Sequence, residues 1–317
     1  MTDNTSMTDA LLLEGYKRMI KIRRFEQLVE SLYTEGRIKG TLHLSVGQEA
    51  IGAGVGLALQ QSDILLLSHR PDHYIIGRDI PFTEVLTEFI YGTGGQMHFF
   101  STAHGIYGSY SIVGSQLPIA TGIALANEYQ HTPRGIFCTF GDGTTTEGIF
   151  HETMNLAALK SVPIVYLCEN NQYAQSTSVK VHSANTALAQ KVSAMYGIQS
   201  AKIDGNDIMA VYDAVSTAKE YITTEKKPYF IEMATFRHSG HSINDKDQSY
   251  KSEGEEYYWE QKDPLKMAQK QLQMRKLLRE DTELKIEAEI NKEIHVALES
   301  LAKDKEAYTK LANSSNE

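Results

Sequence analysis

Asp142 stands between two glycines in the stretch GDGTTTEG (141–148), directly after the apolar run GIFCTF, and the pair Asn170-Asn171 follows after 26 further residues (144–169). A lone Gly-Asp-Gly is ordinarily a turn, because glycine tolerates positive φ and aspartate favours turns. The spacing gives the aspartate a second reading. The intervening residues carry a helical pattern and then a strand pattern, which sets Asp142 and Asn171 at the ends of two strands joined by one right-handed crossover. A carboxylate and an amide oxygen brought to one point are hard donors suited to Mg²⁺ or Ca²⁺, and Mg²⁺ commonly takes one or two protein ligands plus phosphate oxygens of a substrate. A helix beginning near Thr145 would add free N–H groups for an anion. Together these features describe a diphosphate–Mg²⁺ site.

The elements that must hold this site are legible as alternating patterns. GIFCTF, PIVYLCEN, IQSAKIDG and PYFIEMATF are short apolar runs of strand type. Between them, TTTEGIFHETMNLAALKSV and DIMAVYDAVSTAKEYITT have helical periodicity, with Thr144 and Glu147 placed as a capping box. Strands alternating with helices predict an α/β fold with a parallel sheet flanked by helices on both faces. Ligands of such sheets bind beyond the C-terminal strand ends, and GDG, ENNQYA and RHSGHS each follow a strand.

Upstream, residues 8–35 predict an amphipathic helix outside the sheet, and GQEAIGAGVGLALQQSD a helix whose small residues allow close packing. ILLLSHRPDHY reads as a strand running into a polar loop, and SIVGSQLPIATGIALANEYQ as a glycine turn entering an Ala-rich helix. From Asp263 the chain is charged and helical. The predicted division is residues 1–262 as the binding domain and 263–317 as a helical extension of it, the last few residues forming a frayed tail.

Composition narrows the function classes. A formal net charge of −9 without a Lys/Arg stripe argues against a nucleic-acid surface. No apolar run approaches the roughly 20 residues that span a bilayer. The polar, acidic opening MTDNTSMTDA lacks the pattern of a secretory signal or transit peptide, which predicts a cytoplasmic protein. Cys138 and Cys168 lie in apolar runs and read as buried thiols.

GDG followed by NN resembles the thiamine-diphosphate motif. The stretch GDGTTTEGIFHETMNLAALKSVPIVYLCENNQYAQSTSV is similar to the alpha subunit of the decarboxylating first component of 2-oxo acid dehydrogenase complexes, such as the pyruvate and acetoin dehydrogenases. Further family-like pieces occur in the same order: HLSVGQEA (43–50), SHR (68–70), GGQMH (94–98), IVGSQLPIATGIALA (112–126) and FRHSGHS (236–242). The resemblance implies a thiamine-diphosphate-binding fold of the pyrophosphate type. It also implies Mg²⁺ ligands in Asp142, Asn171 and the Tyr173 carbonyl, and diphosphate contacts from Gly143, Thr144 and Arg70. His69 would stand beside the cofactor, and Ile112 and Val113 would pack on its aminopyrimidine. His241 would bind phosphate and take part in proton transfer as the catalytic residue. Without the motif, Arg70 would read as a surface salt-bridge residue and His241 as a loop histidine.

The chain also departs from the family. It has Asp72 where His is usual and His73 one position later, Ser111 before IVG, Ser239 in place of the first His of HGHS, and a shorter stretch between Arg70 and GGQMH. These positions are expected to border the substrate side. The family's cofactor is activated by a Glu on a separate beta subunit, so the resemblance implies an α₂β₂ heterotetramer whose alpha chain is inactive alone. It implies oxidative decarboxylation of a pyruvate-like 2-oxo acid, or acetoin cleavage, with acyl transfer to a lipoyl domain. The same half-site could instead pass an acyl or two-carbon ketol unit to another carrier in a biosynthetic pathway, or the chain could be a non-catalytic binding protein; a split transketolase half fits less well, because ENNQYA and RHSGHS match the dehydrogenase pattern better.

Overall fold

The computed structural model describes residues 2–92 and 95–314, with the side chains of 2–7 and 303–314 left aside. Gly94 of GGQMH and the residues 315–317 of the expected tail lie outside the described residues. The described residues form eight strands: β1 (Ile64–Leu67), β2 (Ile106–Ser109), β3 (Ile136–Gly141), β4 (Val165–Asn170), β5 (Tyr173–Ala174), β6 (Thr177–Ser178), β7 (Gln199–Asp204) and β8 (Tyr229–Ala234). Six of them form one sheet in the order β2-β1-β3-β4-β8-β7, every neighbouring pair parallel, while β5 and β6 make a small antiparallel hairpin.

The helices are α1 (Thr2–Thr34), α2 (Glu49–Ala58), α3 (Asp72–Gly77), α4 (Phe82–Tyr91), α5 (Gln116–Tyr129), α6 (Gly148–Leu159), α7 (Val179–His182), α8 (Leu188–Tyr196), α9 (Ile208–Thr224), α10 (Glu253–Glu260), α11 (Pro264–Met274) and α12 (Glu280–Ser314). Among the described residues no helix is long and apolar enough to cross a membrane.

The strands are nearly continuous apolar runs because both faces of the sheet are covered. Alternate side chains go to opposite layers: Leu65, Leu67, Phe137, Val165, Leu167, Ile231 and Met233 join the core under α1, α2, α3, α4, α9, α11 and α12. Ile64, Leu66, Ile136, Cys138, Phe140, Tyr166, Cys168 and Phe230 join the core under α5, α6 and α8. Both cysteines are free and buried, as the apolar runs predict. The edge strand β7 is the exception, with Gln199 and Lys202 exposed, as befits a sheet border.

Two local expectations need correction. Thr144 and Glu147 form no capping box: residues Asp142–Thr146 make a 3₁₀ turn and α6 begins only at Gly148, with Glu147 at its N-cap and no side-chain cap bond. The hydroxyls of Thr145 and Thr146 instead donate back to the carbonyls of Asp142 (2.7 Å) and Gly143 (2.9 Å), which tightens the turn rather than capping the helix. The second correction concerns the polar loop after β1. From Asp72 it is the fully buried helix α3, pressed against α2. Gly52 and Gly56 of α2 and Gly77 of α3 permit this approach, since a Cβ on any of them would collide with the facing backbone. Close packing is what the small-residue run predicts.

Candidate active site

The cavity opens where the parallel strands end. It has a volume of about 510 Å³ and takes its walls from the C-terminal ends of the strands and the segments after them: β1 (Ser68, His69, Arg70), β2 (Tyr110–Gly114), β3 (Gly141–Thr144 and Glu147), β4 (Glu169, Asn171, Tyr173–Gln175) and β8 (Arg237, His241). Thr41 and His43 close it from the α1–α2 connection. The chain leaves β1 toward β2 on one side and resumes at β3 on the other, which makes this end the topological switch point of the sheet. All ten residues singled out from the sequence line this one space: His69, Arg70, Ile112, Val113, Asp142, Gly143, Thr144, Asn171, Tyr173 and His241.

The parallel register pairs Gly141 with Glu169, so Asp142 and Asn171 each stand just beyond a strand end on adjacent strands. Asp142 is 1% exposed, and its Oδ2 accepts from His182 Nε2 at 2.9 Å. Asn171 Oδ1 accepts from the Tyr173 amide at 3.2 Å, leaving that oxygen a second lone pair. A Cβ on Gly143 would lie 2.7 Å from the Cβ of Ala174, so the turn and the β5–β6 hairpin touch where only hydrogen fits.

Two buried cations face this cavity, and neither makes an ion pair among the described residues. Arg70, 4% exposed, donates to the carbonyls of Leu44 and His241, and Arg237, 2% exposed, donates to the carbonyls of Ser239 and Gln175 and to Tyr250 Oη. Glu169, Glu26 and Asp72 act on Arg70 only from beyond ion-pair distance. Burial first, then the repulsion of Arg237, pushes Arg70 down to about 9. Buried charge is normally paired, so an arrangement of this kind is completed by an anion.

The same field acts on three imidazoles. His43, His69 and His241 pack with ring centroids 4.7, 5.0 and 5.5 Å apart. Burial, followed by Arg70, pushes them down to about 2, 3 and 4 respectively, so all three are neutral at neutral pH. Their ring nitrogens lie within 4.8 Å of one another, but the guanidiniums that disfavour imidazolium equally oppose a metal cation there. A neutral His241 is in the form that accepts a proton or donates one hydrogen bond.

Several walls of the site rest on residues that the motifs name without a role. His73 bridges Ser45 Oγ (2.9 Å) and Glu169 Oε2 (3.2 Å), Gln48 donates to Glu169, and Asn171 Nδ2 donates to Gln48 Oε1 at 3.5 Å. Gln96 donates to Asp72 Oδ2 (2.7 Å) and clasps the His43 backbone through its N–H (2.8 Å) and carbonyl (2.9 Å). Asp72 and His73 are therefore buried beneath the site, not on its substrate side. Ser239 likewise lies outside the cavity wall, its carbonyl bound by Lys251 and Arg237. Of the four departures only Ser111 lines the cavity. Beyond His241, Asp245 accepts from the His241 amide and from Tyr250 Oη, both at 2.7 Å, which ties the SINDKDQSY segment to the site.

The model of the dehydrogenase E1 component family matches residues 17–310. The chain belongs to that family. It is 38% identical over 242 residues to the pyruvate dehydrogenase E1 component subunit alpha of Zymomonas mobilis subsp. mobilis, covering 74% of this chain and 68% of that one. It is 34% identical over 312 residues to the mitochondrial pyruvate dehydrogenase E1 component subunit alpha type II of Ascaris suum, covering 96% and 78%. The Rickettsia conorii pyruvate dehydrogenase E1 component subunit alpha matches at 34% over 294 residues, 90% of each chain. As a dehydrogenase E1 component the protein is a thiamine-diphosphate-dependent oxidoreductase. The E1 site also contains residues that the motif reading leaves without a role: His43, Glu169, Arg237, Gln48 and His182. For Arg237 the signal was at hand, four positions before His241 in FRHSGHS, and His43 opens HLSVGQEA.

Proposed function

We propose that this chain is the alpha subunit of a two-subunit enzyme that decarboxylates a pyruvate-like 2-oxo acid oxidatively and passes the acyl group to a lipoyl domain. The observation that carries this is the pair of buried guanidiniums, Arg70 and Arg237, neither held in a direct ion pair among the described residues, in the same cavity as the oxygen donors Asp142 and Asn171. A diphosphate bridged to a divalent cation satisfies both halves at once. The donor set fits Mg²⁺: Asp142, the Asn171 side chain and the Tyr173 carbonyl are hard oxygens that would hold such an ion, with diphosphate oxygens and water as further donors. Arg70 and the amides of Gly143 and Thr144 take the diphosphate, and His69 stands beside the cofactor.

When bound, thiamine diphosphate supplies a carbon nucleophile and an electron sink for the decarboxylation. The protein supplies the rest. Ile112 and Val113 hold the aminopyrimidine end by apolar packing, and Arg70 and Arg237 fix the charged end. His241, neutral and a few ångströms from His43 and His69, would bind phosphate and could accept or return a proton beside the bound group. The Glu that activates the cofactor comes from a beta subunit, giving an α₂β₂ assembly. Ser111 in the cavity wall favours a second reading, in which the same half-site cleaves acetoin or loads an acceptor other than lipoamide.

Calorimetry tests the first part. Thiamine diphosphate is expected to bind the full chain only with Mg²⁺, and Asp142→Ala to weaken that binding by about 100-fold or more. Binding by the wild type that ignores Mg²⁺ would overturn the metal reading. Full decarboxylase activity of the isolated chain would overturn the requirement for a beta partner.

A further inference from the structure

The two carboxylate oxygens of Asp142 are treated differently. Oδ2 is engaged by His182 Nε2 at 2.9 Å, while Oδ1 has no hydrogen-bond partner among the described residues. At that separation the ring nitrogen must carry a hydrogen, because its bare lone pair would face those of the carboxylate. The other ring nitrogen, Nδ1, is buried with no partner, so Asp142 provides the one hydrogen bond that orients the ring. His182 closes α7, and α7 begins at Val179, whose amide donates to the Gln172 carbonyl at 2.8 Å. The loop that leaves β4 with Asn171 and Tyr173 therefore turns back and grips the aspartate at the end of β3.

We infer that His182 is a positioning residue for the divalent cation: by occupying Oδ2 it confines Asp142 to coordination through Oδ1 alone. The inference rests on the reading of Asp142, Asn171 and Tyr173 as metal ligands. Mg²⁺ requires a near-ideal octahedron at about 2.0–2.1 Å, into which a two-oxygen carboxylate bite fits poorly, whereas Ca²⁺ accepts both oxygens within about six to eight ligands. A donor fixed on Oδ2 thus makes the site a Mg²⁺ site rather than a Ca²⁺ site. Outer partners of this kind contribute about 10–100-fold to metal affinity.

The test titrates Mg²⁺ and Ca²⁺ separately into the full chain with thiamine diphosphate, following cofactor binding by calorimetry, and records the metal-free melting temperature alongside. His182→Leu fills the space without a donor, His182→Ala removes both, and His182→Gln returns an N–H at about the same reach. The expected result is a Mg²⁺ requirement raised about 10–100-fold in the Leu and Ala variants. Ca²⁺ should be little affected, so the preference between the ions narrows, and Gln should restore most of it. Equal losses for both ions, or none for either, would overturn the inference while leaving Asp142 a ligand. A wild type that needs no divalent ion would instead overturn the ligand reading itself, and this inference with it.

Discussion

Asp72 has no exposed surface, and its one side-chain hydrogen bond comes from Gln96. Burial pushes its carboxyl up to about 7, against the pull of Gln96 and Arg70, and Glu26, equally buried, is pushed up by burial and by the charge of Asp72. The folded state therefore binds this proton more tightly than the unfolded chain does. Its contribution is full below the ordinary value of 3.8 and is lost as pH rises toward about 7, beyond which the fold carries a buried carboxylate. Asp72→Asn keeps an acceptor for Gln96 without the charge. It should stabilise the protein by on the order of 1–3 kcal/mol at about pH 8, with the gain vanishing near pH 4, in urea unfolding followed across that range. A gain that does not change with pH would refute the assignment. Asp72 also shows where the sequence misleads at this scale. Spacing to a strand end brings Asp142 and Asn171 to one cavity, because the sheet dictates where a strand ends, and the eight residues named by the family resemblance line the same space. It does not reveal that Asp72 acts through Gln96 on the backbone of His43, since that chain joins segments far apart in sequence.

At the scale of elements, the site depends on how closely α3 lies on α2. Gly56 faces the carbonyl of Gly77, and Gly77 in turn faces that of Gly52, so backbone meets backbone and neither side can yield as a side chain would. Gly56→Ala is expected to cost about 2–3 kcal/mol of stability. Because α3 carries His73, which braces Glu169, and follows Arg70, it should also weaken cofactor binding. Gly122 of α5 is the control: a Cβ there meets nothing within 4 Å, so Gly122→Ala should be neutral or stabilising by about 0.5–1 kcal/mol. Denaturant unfolding of both variants checks this, and equal effects would mean that the α2–α3 contact is soft. The α2 packing was readable because glycine and alanine at helical spacing have one economical use. The helix α3 was not, since Arg-Pro-Asp has the look of a turn and only burial of both flanks makes six residues helical. The capping box failed because Asp142–Thr146 is a 3₁₀ turn and α6 begins only at Gly148, which puts Glu147 rather than Thr144 at the N-cap.

For the molecule as a whole, the open question is whether residues 263–317 are an appendage or part of the domain, and we propose the latter. Ala268 and Leu272 of α11 and Ile286, Ile290, Ala297 and Leu301 of α12 are buried in the same core as α1, α2 and β1. The α12 positions advance by 4, 7 and 4, the stripe of a helix with one buried face. Polar ties run the same way: Arg23 pairs with Asp263 at 3.2 Å, Tyr16 Oη donates to Glu283 at 3.2 Å, and Arg24 donates to Asn291 Oδ1 at 2.8 Å. Removing the segment would expose the outer side of α1 and α4 and leave Tyr16, whose hydroxyl burial and Glu283 hold in its neutral form, without its acceptor. Several buried side chains at about 1.5–3 kcal/mol each amount to the whole stability of a typical domain. A chain ending at residue 262 is therefore expected to lose cooperative unfolding and to bind a hydrophobic dye, while the full chain melts in one transition. If the shortened chain melts cooperatively near the full-length temperature, residues 263–317 are an independent unit, and the E1 site is held by the sheet and its nearer helices alone.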